Sequence, residues 1–169
     1  MLLFKKKVDK CDYIGYNIHI MKIRKDFIFD VDGTLMDITH RRKFVDGSQK
    51  TDWNAFRKAT SQDTPKEEVF AIARALQAAG HRIVITSGRN VSERAITLKQ
   101  LFSNGLAPSA IFMRDNDDFR SDDVLKSEFL DKMRDQGFDP HTAFDDRQQV
   151  VDMWRARGLT CVQVAKGDF

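Results

Sequence analysis

The sequence predicts an α/β fold, a Rossmann-like parallel sheet with helices on both faces, from three observations. Short runs rich in Ile, Val and Phe recur along the chain, amphipathic stretches alternate with them, and a glycine closes several of those stretches. Strands separated by helices make βαβ units, whose right-handed crossovers give a parallel sheet buried on both sides. With 169 residues and 41% hydrophobic content the chain has room for one such domain and its core.

Residues 1–20 share no pattern with the rest and are read as an extension ahead of Met21, with the domain expected over 21–169. The first strand is Asp26–Val31, "DFIFDV". After it, "MDITHRRKFVDGSQKTDWNAFRKAT" is expected to fold as a small flap over 36–62, too short for a full cap domain. Thr64-Pro65 with Glu67 and Glu68 reads as a helix start, Val69, Ile72, Ala73 and Leu76 as its apolar face, and Gly80 as its stop. Further strands are expected at Arg82–Thr86, Ala110–Met113, Thr142–Asp145 and Leu159–Val164, with helices between them ending at Gly105, Gly137 and Gly158. Lys126 falls on the helix after the third strand, and Trp154 on the apolar face of the last helix, where a core position is expected.

Charge and cysteines exclude more than they assign. The 28 basic and 25 acidic residues leave a net charge of +3, a mixed surface that favours polyanions only weakly. Cys11 and Cys161 lie far apart and form no CxxC, so neither a disulfide framework nor a zinc cluster is expected, and a reducing, cytoplasmic setting follows. The N-terminal "MLLFKKKVDK" places its apolar residues before its lysines, the reverse of a secretory signal. No run approaches the ~18 apolar residues of a membrane span.

In open parallel sheets, ligands bind beyond the carboxyl ends of the strands. The first strand ends in Asp30-Val31-Asp32-Gly33-Thr34, the second in Thr86-Ser87-Gly88-Arg89, the fourth in Asp145-Asp146-Arg147. Each has a plainer reading by itself: acids at a helix start, a polar turn, or an i, i+4 surface pair for Asp122 and Lys126. All of them reach the same end of the sheet, and two aspartates directly after Phe27-Ile28-Phe29 are more than a turn needs. The chemistry they fit is phosphoryl transfer through an aspartyl-phosphate. Asp30 attacks phosphorus, and Asp32 protonates the leaving oxygen and then activates water, so one carboxylate must be ionised while the other is protonated. Converging carboxylates repel one another unless a cation sits among them, a role that suits Mg²⁺. Ser87 and nearby backbone amides, with Thr34 and Gly88 beside them, are expected to take the phosphoryl oxygens, and Lys126 to offset their charge.

These residues resemble the four ordered motifs of the haloacid dehalogenase superfamily of phosphatases: Asp30-x-Asp32-Gly33-Thr34, Ser87, Lys126 and Asp145-Asp146. The resemblance spans about residues 26–169. It implies that Asp30 is the nucleophile, that Asp32 is the general acid/base, and that magnesium is held by Asp30, Asp145, Asp146 and the backbone carbonyl of Asp32. A narrower likeness runs through "ITSGRN", "MRDNDDFRSDDVLKSE" and "FDDRQQVVDMWRARGLTCVQVAKGDF". These are similar to the 3′-phosphatase domain of bacteriophage-type polynucleotide kinase/phosphatase. It adds Arg89, Asp122 and Arg147 to the site, with Asp122 orienting Lys126 or a basic neighbour. No GxxxxGK[ST] phosphate loop is present, so kinase activity is not expected.

A shallow flap suits a chain end better than a small metabolite that needs enclosure. His40, Arg41, Arg42 and Lys43, with Trp53 and Phe56, are candidates for phosphate contacts and base stacking; the plainer alternative is a solvated basic loop with two core aromatics. The expected function is a Mg²⁺-dependent phosphomonoesterase acting on the 3′-phosphate ends of nucleic acid. The alternatives are a nucleotidase for free mononucleotides, which shares the core, and a non-catalytic nucleic-acid adaptor, against which the intact motifs argue.

Overall fold

The computed structural model describes residues 24–48 and 50–167. The expectations for residues 1–20, including Cys11, and for Asp168-Phe169 lie outside them. In chain order the elements are β1 (Asp26–Asp30), β2 (Met36–Asp37), α1 (Thr39–Arg42), α2 (Trp53–Lys58), β3 (Thr64–Pro65), α3 (Glu67–Ala78) and β4 (Arg82–Asn90). They continue with α4 (Arg94–Ser103), β5 (Ala110–Arg114), α5 (Asp122–Asp135), β6 (Pro140–Arg147), α6 (Gln148–Ala156) and β7 (Thr160–Gly167).

All five expected strands join one parallel sheet in the order β5-β4-β1-β6-β7, several of them longer at their carboxyl ends than the sequence pattern indicates. The chain leaves β1 in one direction to β4 and later returns on its other side to β6, so the strand order reverses at β1, where such sheets hold ligands.

Side-chain alternation divides the core. Ile28, Val84 and Ala143 are in register across the three central strands and pack on one face with Leu125, Phe129, Val150, Val151 and Trp154 of α5 and α6. Phe29, Ile85 and Phe144 point to the other face, against Val69, Phe70 and Ala73 of α3 and Leu101 of α4. The Phe29 and Phe144 rings stack at 4.2 Å between centroids. Because the period is two, Asp30 shares the face of Ile28 and Asp145 that of Ala143, so both carboxylates leave the sheet on the side of α5.

Two local expectations are corrected. Thr64-Pro65 does not open the helix: it pairs antiparallel with Met36-Asp37, closing the inserted segment at its base, and α3 starts at Glu67 after Lys66. Proline at a two-residue edge strand costs no ladder bond that a central strand would need. Ile72, expected on the inward face, is 45% exposed, and Phe70, which the expected face left out, is fully buried. Trp154 is fully buried, as expected. The expected stops at Gly80, Gly105, Gly137 and Gly158 all have positive φ, the left-handed backbone that ends helices.

At the amino end of the sheet, Asp26 accepts two bonds from Arg82, both 2.6 Å, and one from the Asp139 amide at 2.6 Å. Burial pushes the Asp26 carboxyl up, but Arg82 and the amide together outweigh it and leave the pKa below the ordinary value. Asp26→Asn is expected to lower stability at neutral pH by about 1–3 kcal/mol. A depressed carboxyl contributes fully above its unfolded pKa, near ~3.9, and that contribution disappears as pH falls through the lower folded value. The gap in melting temperature between wild type and variant should therefore narrow below about pH 4.

Candidate active site

The carboxyl ends of β1, β4 and β6 bring together the residues that the sequence motifs picked out. Lys126, buried on α5, donates to Asp30 Oδ1 at 2.7 Å and to Asp145 Oδ2 at 2.8 Å, a meeting prepared by the shared face of the two aspartates. Trp154 Nε1 donates to the same Asp145 oxygen at 3.2 Å, so a core residue also fixes the site. Asp146 follows, with Thr34 Oγ1 donating to its Oδ1 at 3.4 Å. One carboxylate oxygen each from Asp30, Asp145 and Asp146 lies within 4.8 Å of the others, a spacing that can hold a metal ion. Asp145 and Asp146 belong to β6 itself rather than to the start of a helix, since α6 opens only at Gln148.

The charge balance is short of cations. Burial, then the charges of Asp145 and Asp146, push the Asp30 carboxyl well above its ordinary value in spite of Lys126. Burial and Asp145 likewise push Asp146 up to about 6. Lys126 answers with a pKa raised above that of an ordinary lysine, its own burial being outweighed by Asp145 and Asp30. One ammonium among three buried carboxylates is the environment in which a divalent cation binds. Two glycines make room for Asp146: a Cβ at Gly33 would lie 2.2 Å from its Oδ2, and one at Gly167 2.3 Å. Gly33 also has φ +85°. Gly33→Ala is expected to cost about 1–2 kcal/mol from the backbone alone, with a further loss as Asp146 is displaced; thermal denaturation measures it.

Asp32 stands apart from the three acids. Arg41 Nη2 donates to its Oδ1 at 2.8 Å, and Arg89 reaches the same oxygen through Nε at 2.8 Å and Nη2 at 2.6 Å. Asp63 binds both arginines from behind, accepting from Arg41 at 2.7 and 2.8 Å and from Arg89 at 2.7 Å. Although burial opposes it, these guanidinium groups hold Asp32 below the usual carboxylate range. The protein environment by itself thus raises Asp30 and lowers Asp32, the opposite of the division of protons that the reaction needs. Proximity of two arginines decides it.

The remaining expected contacts are placed as follows. Ser87 is buried at the end of β4, its Oγ accepting from the Arg89 amide at 3.1 Å. Thr86, in register with Asp30, has a buried Oγ1 with no hydrogen-bond partner among the described residues. Arg89 is not turned to solvent: besides Asp32 and Asp63 it donates to Thr97 and Gln100. Asp122 does not bond Lys126. It binds Arg147 Nη1 at 2.9 Å and Arg114, and a Cβ at Gly88 would lie 2.8 Å from its Oδ1. Of the inserted segment, Arg41 is fully buried, correcting its reading as part of a solvated basic loop or a substrate contact. Trp53 is 54% exposed, correcting its reading as core, while Phe56 is partly buried. Sequence reading missed Asp63, Arg114 and the Trp154 bond. Nothing local distinguishes Asp63 from a surface aspartate, because its partners lie 22 and 26 residues away.

The family described as the polynucleotide kinase PNKP phosphatase domain matches residues 24–169. The chain belongs to this family. It is accordingly a phosphatase of the haloacid dehalogenase superfamily, a phosphoric monoester hydrolase. A chain of the Pnkp1/Rnl/Hen1 complex is similar at 30% identity and a TM-score of 0.71, over 86% of this chain and 47% of that one. This chain thus spans about half the length of that relative. Two other solved structures share the fold. The class C acid phosphatase of Bacillus anthracis, with tungstate bound, is 16% identical, with a TM-score of 0.61 over 86% of this chain and 68% of its own. The D,D-heptose 1,7-bisphosphate phosphatase of B. bronchiseptica is 20% identical, with a TM-score of 0.57 over 81% and 78%. Among the described residues no helix is long and apolar enough to cross a membrane.

Proposed function

We propose that this phosphatase removes 3′-phosphates from nucleic acid ends with Mg²⁺, through a phosphate carried on Asp30. The observation that carries the reading is the trio Asp30, Asp145 and Asp146 facing a single lysine at the reversal point of the sheet, in a member of the PNKP phosphatase family. The relative with 30% identity is part of an RNA repair complex, which supports a nucleic acid substrate over a small metabolite.

With Oδ1 held by Lys126, Oδ2 of Asp30 is the oxygen left to attack phosphorus, once its carboxyl has lost its proton; the bond from phosphorus to the 3′-oxygen breaks, and that oxygen takes a proton that Asp32 must gain when substrate binds, against the pull of Arg41 and Arg89. Water then attacks the aspartyl-phosphate, Asp32 accepts its proton, and inorganic phosphate leaves with Asp30 restored. Asp30, Asp145 and Asp146, with the Asp32 carbonyl, would hold the metal, which when bound neutralises the acids and the developing phosphoryl charge. Their fit to it rests on two features: raised carboxyls short of a cation, and glycines cradling Asp146. Ser87 and the Thr86 hydroxyl, which has no partner among the described residues, would bind phosphoryl oxygens. Arg89 and Arg41, braced by Asp63, hold Asp32, while Arg147, held by Asp122, would reach the phosphate side.

The test is turnover of a 3′-phosphorylated oligonucleotide, a 3′-mononucleotide and a 5′-mononucleotide, each with magnesium or EDTA. Preference for the oligonucleotide, lost in EDTA, is expected, together with a melting temperature that rises with magnesium through linkage. Preference for the 5′-mononucleotide, or a midpoint unchanged at saturating metal, would contradict the reading.

A further inference from the structure

We propose that Trp53 is a stacking platform for a nucleobase of the substrate strand, upstream of the nucleotide that bears the 3′-phosphate. The inference deepens the function just proposed and rests on it.

Trp53 opens α2 with its indole 54% exposed, although a tryptophan without a partner would normally be covered. It is nevertheless held in place. Asp52 caps the helix, accepting from the Asn54 and Ala55 amides at 3.0 and 2.9 Å, and the Phe56 ring meets the indole edge-on at 5.7 Å between centroids. The other neighbour of Phe56 is the Arg41 guanidinium, 4.1 Å from its ring centre, and Arg41 donates to Asp32. A continuous line of contacts, Trp53–Phe56–Arg41–Asp32, therefore joins an exposed aromatic to the reacting end of the site. Since Phe56 and Arg41 stand between the indole and Asp32, the base that Trp53 takes belongs to a nucleotide further along the strand.

The charge around the indole fits a polyanion. Residues 39–58 contain six Lys or Arg against two Asp, and of these Lys43, Lys50 and Lys58 are exposed. Aromatic faces beside scattered cations bind single strands without sequence preference, the bases stacking and the phosphates meeting the cations. Another exposed aromatic near the carboxyl edge, Phe119 at 89%, has a less basic setting: its loop carries Asp115, Asp117 and Asp118 beside Arg120, and Arg120 is already paired with Asp118. Few cations are left there to meet phosphates.

The experiment compares wild type, Trp53→Ala, Trp53→Phe and Phe119→Ala in magnesium, on a short 3′-phosphorylated oligonucleotide and on a 3′-mononucleotide. Wild-type turnover of the oligonucleotide checks the underlying function by itself; if it is absent, that reading falls and this one with it. Given that turnover, Trp53→Ala is expected to raise KM for the oligonucleotide about tenfold or more with kcat nearly unchanged, the signature of lost uniform binding. It should leave the mononucleotide KM alone, and Trp53→Phe should keep most of the wild-type affinity. In EDTA, where turnover stops, the oligonucleotide should quench indole fluorescence in wild type and not in Trp53→Phe, a readout independent of whether the alanine variant folds. Equal quenching in both, an unchanged oligonucleotide KM, an equal loss on both substrates, or a KM increase confined to Phe119→Ala would overturn the proposal.

Discussion

Asp30→Asn is expected to abolish phosphate release, by roughly four orders of magnitude or more, the scale on which loss of a nucleophile acts. The same substitution should leave the metal-free protein as stable as wild type or more stable. A carboxyl whose pKa is raised in the folded state costs stability at every pH above its unfolded pKa, and Asp30 is raised by burial and by Asp145 and Asp146. The amide removes that cost, while Lys126 keeps its bond to Asp145 at 2.8 Å. The stabilisation should fade as pH falls below about 4, where the wild-type carboxyl becomes neutral in the unfolded state as well. Turnover and melting curves in EDTA on the same two proteins measure both effects. A large drop in melting temperature would count against a catalytic position held under charge strain.

The largest effect on stability is expected at Asp63, a residue that meets the site through Arg41 and Arg89. Its side chain is fully buried, and both Arg41 and Arg89 depend on it. Burial pushes its carboxyl up even with the two arginines present, so the cluster is costly to assemble. Breaking it costs more. Asp63→Ala would leave two buried guanidinium groups sharing Asp32 as their carboxylate among the described residues, a loss of about 3–5 kcal/mol, or roughly 6–20 °C in melting temperature for a domain of this size. Asp63→Asn keeps an acceptor for one arginine and should fall between the two. Activity should drop in both variants, since Asp32 loses the support that fixes its orientation, and the drop should appear in kcat rather than KM. Thermal denaturation with steady-state kinetics checks this; an alanine variant within about 1 kcal/mol of wild type would show that the arginines do not need Asp63.

The sequence carried the sheet because a buried parallel strand has a composition of its own: Phe27-Ile28-Phe29, Ile83-Val84-Ile85 and Ala143-Phe144 could belong to little else. It carried Asp30, Lys126, Asp145 and Asp146 because strand ends in such a fold all face one way, so separate motifs could be read as one place. The inserted segment was less legible. Arg41 and Trp53 sit in a run of mixed polar and aromatic residues with no period, and their burial is set by tertiary partners: Asp63 and Asp32 bind the first, and the second meets the partly buried Phe56 edge-on and stays 54% exposed. Thr64-Pro65 reads as a helix start by local chemistry, and only its pairing with Met36-Asp37 overrides that. The charge states were not legible either. The first motif makes Asp32 the acid, and nothing in it shows that Arg89 and Arg41 lower its pKa.

The most direct measurement is a rapid acid quench of a single turnover, with a nucleic acid strand carrying radiolabelled phosphate at its 3′ end. The label should pass to the protein before it appears as inorganic phosphate, map to the peptide that contains Asp30, and be absent from Asp30→Asn. Release of labelled phosphate with none ever bound to protein, or label on a peptide without Asp30, would contradict it.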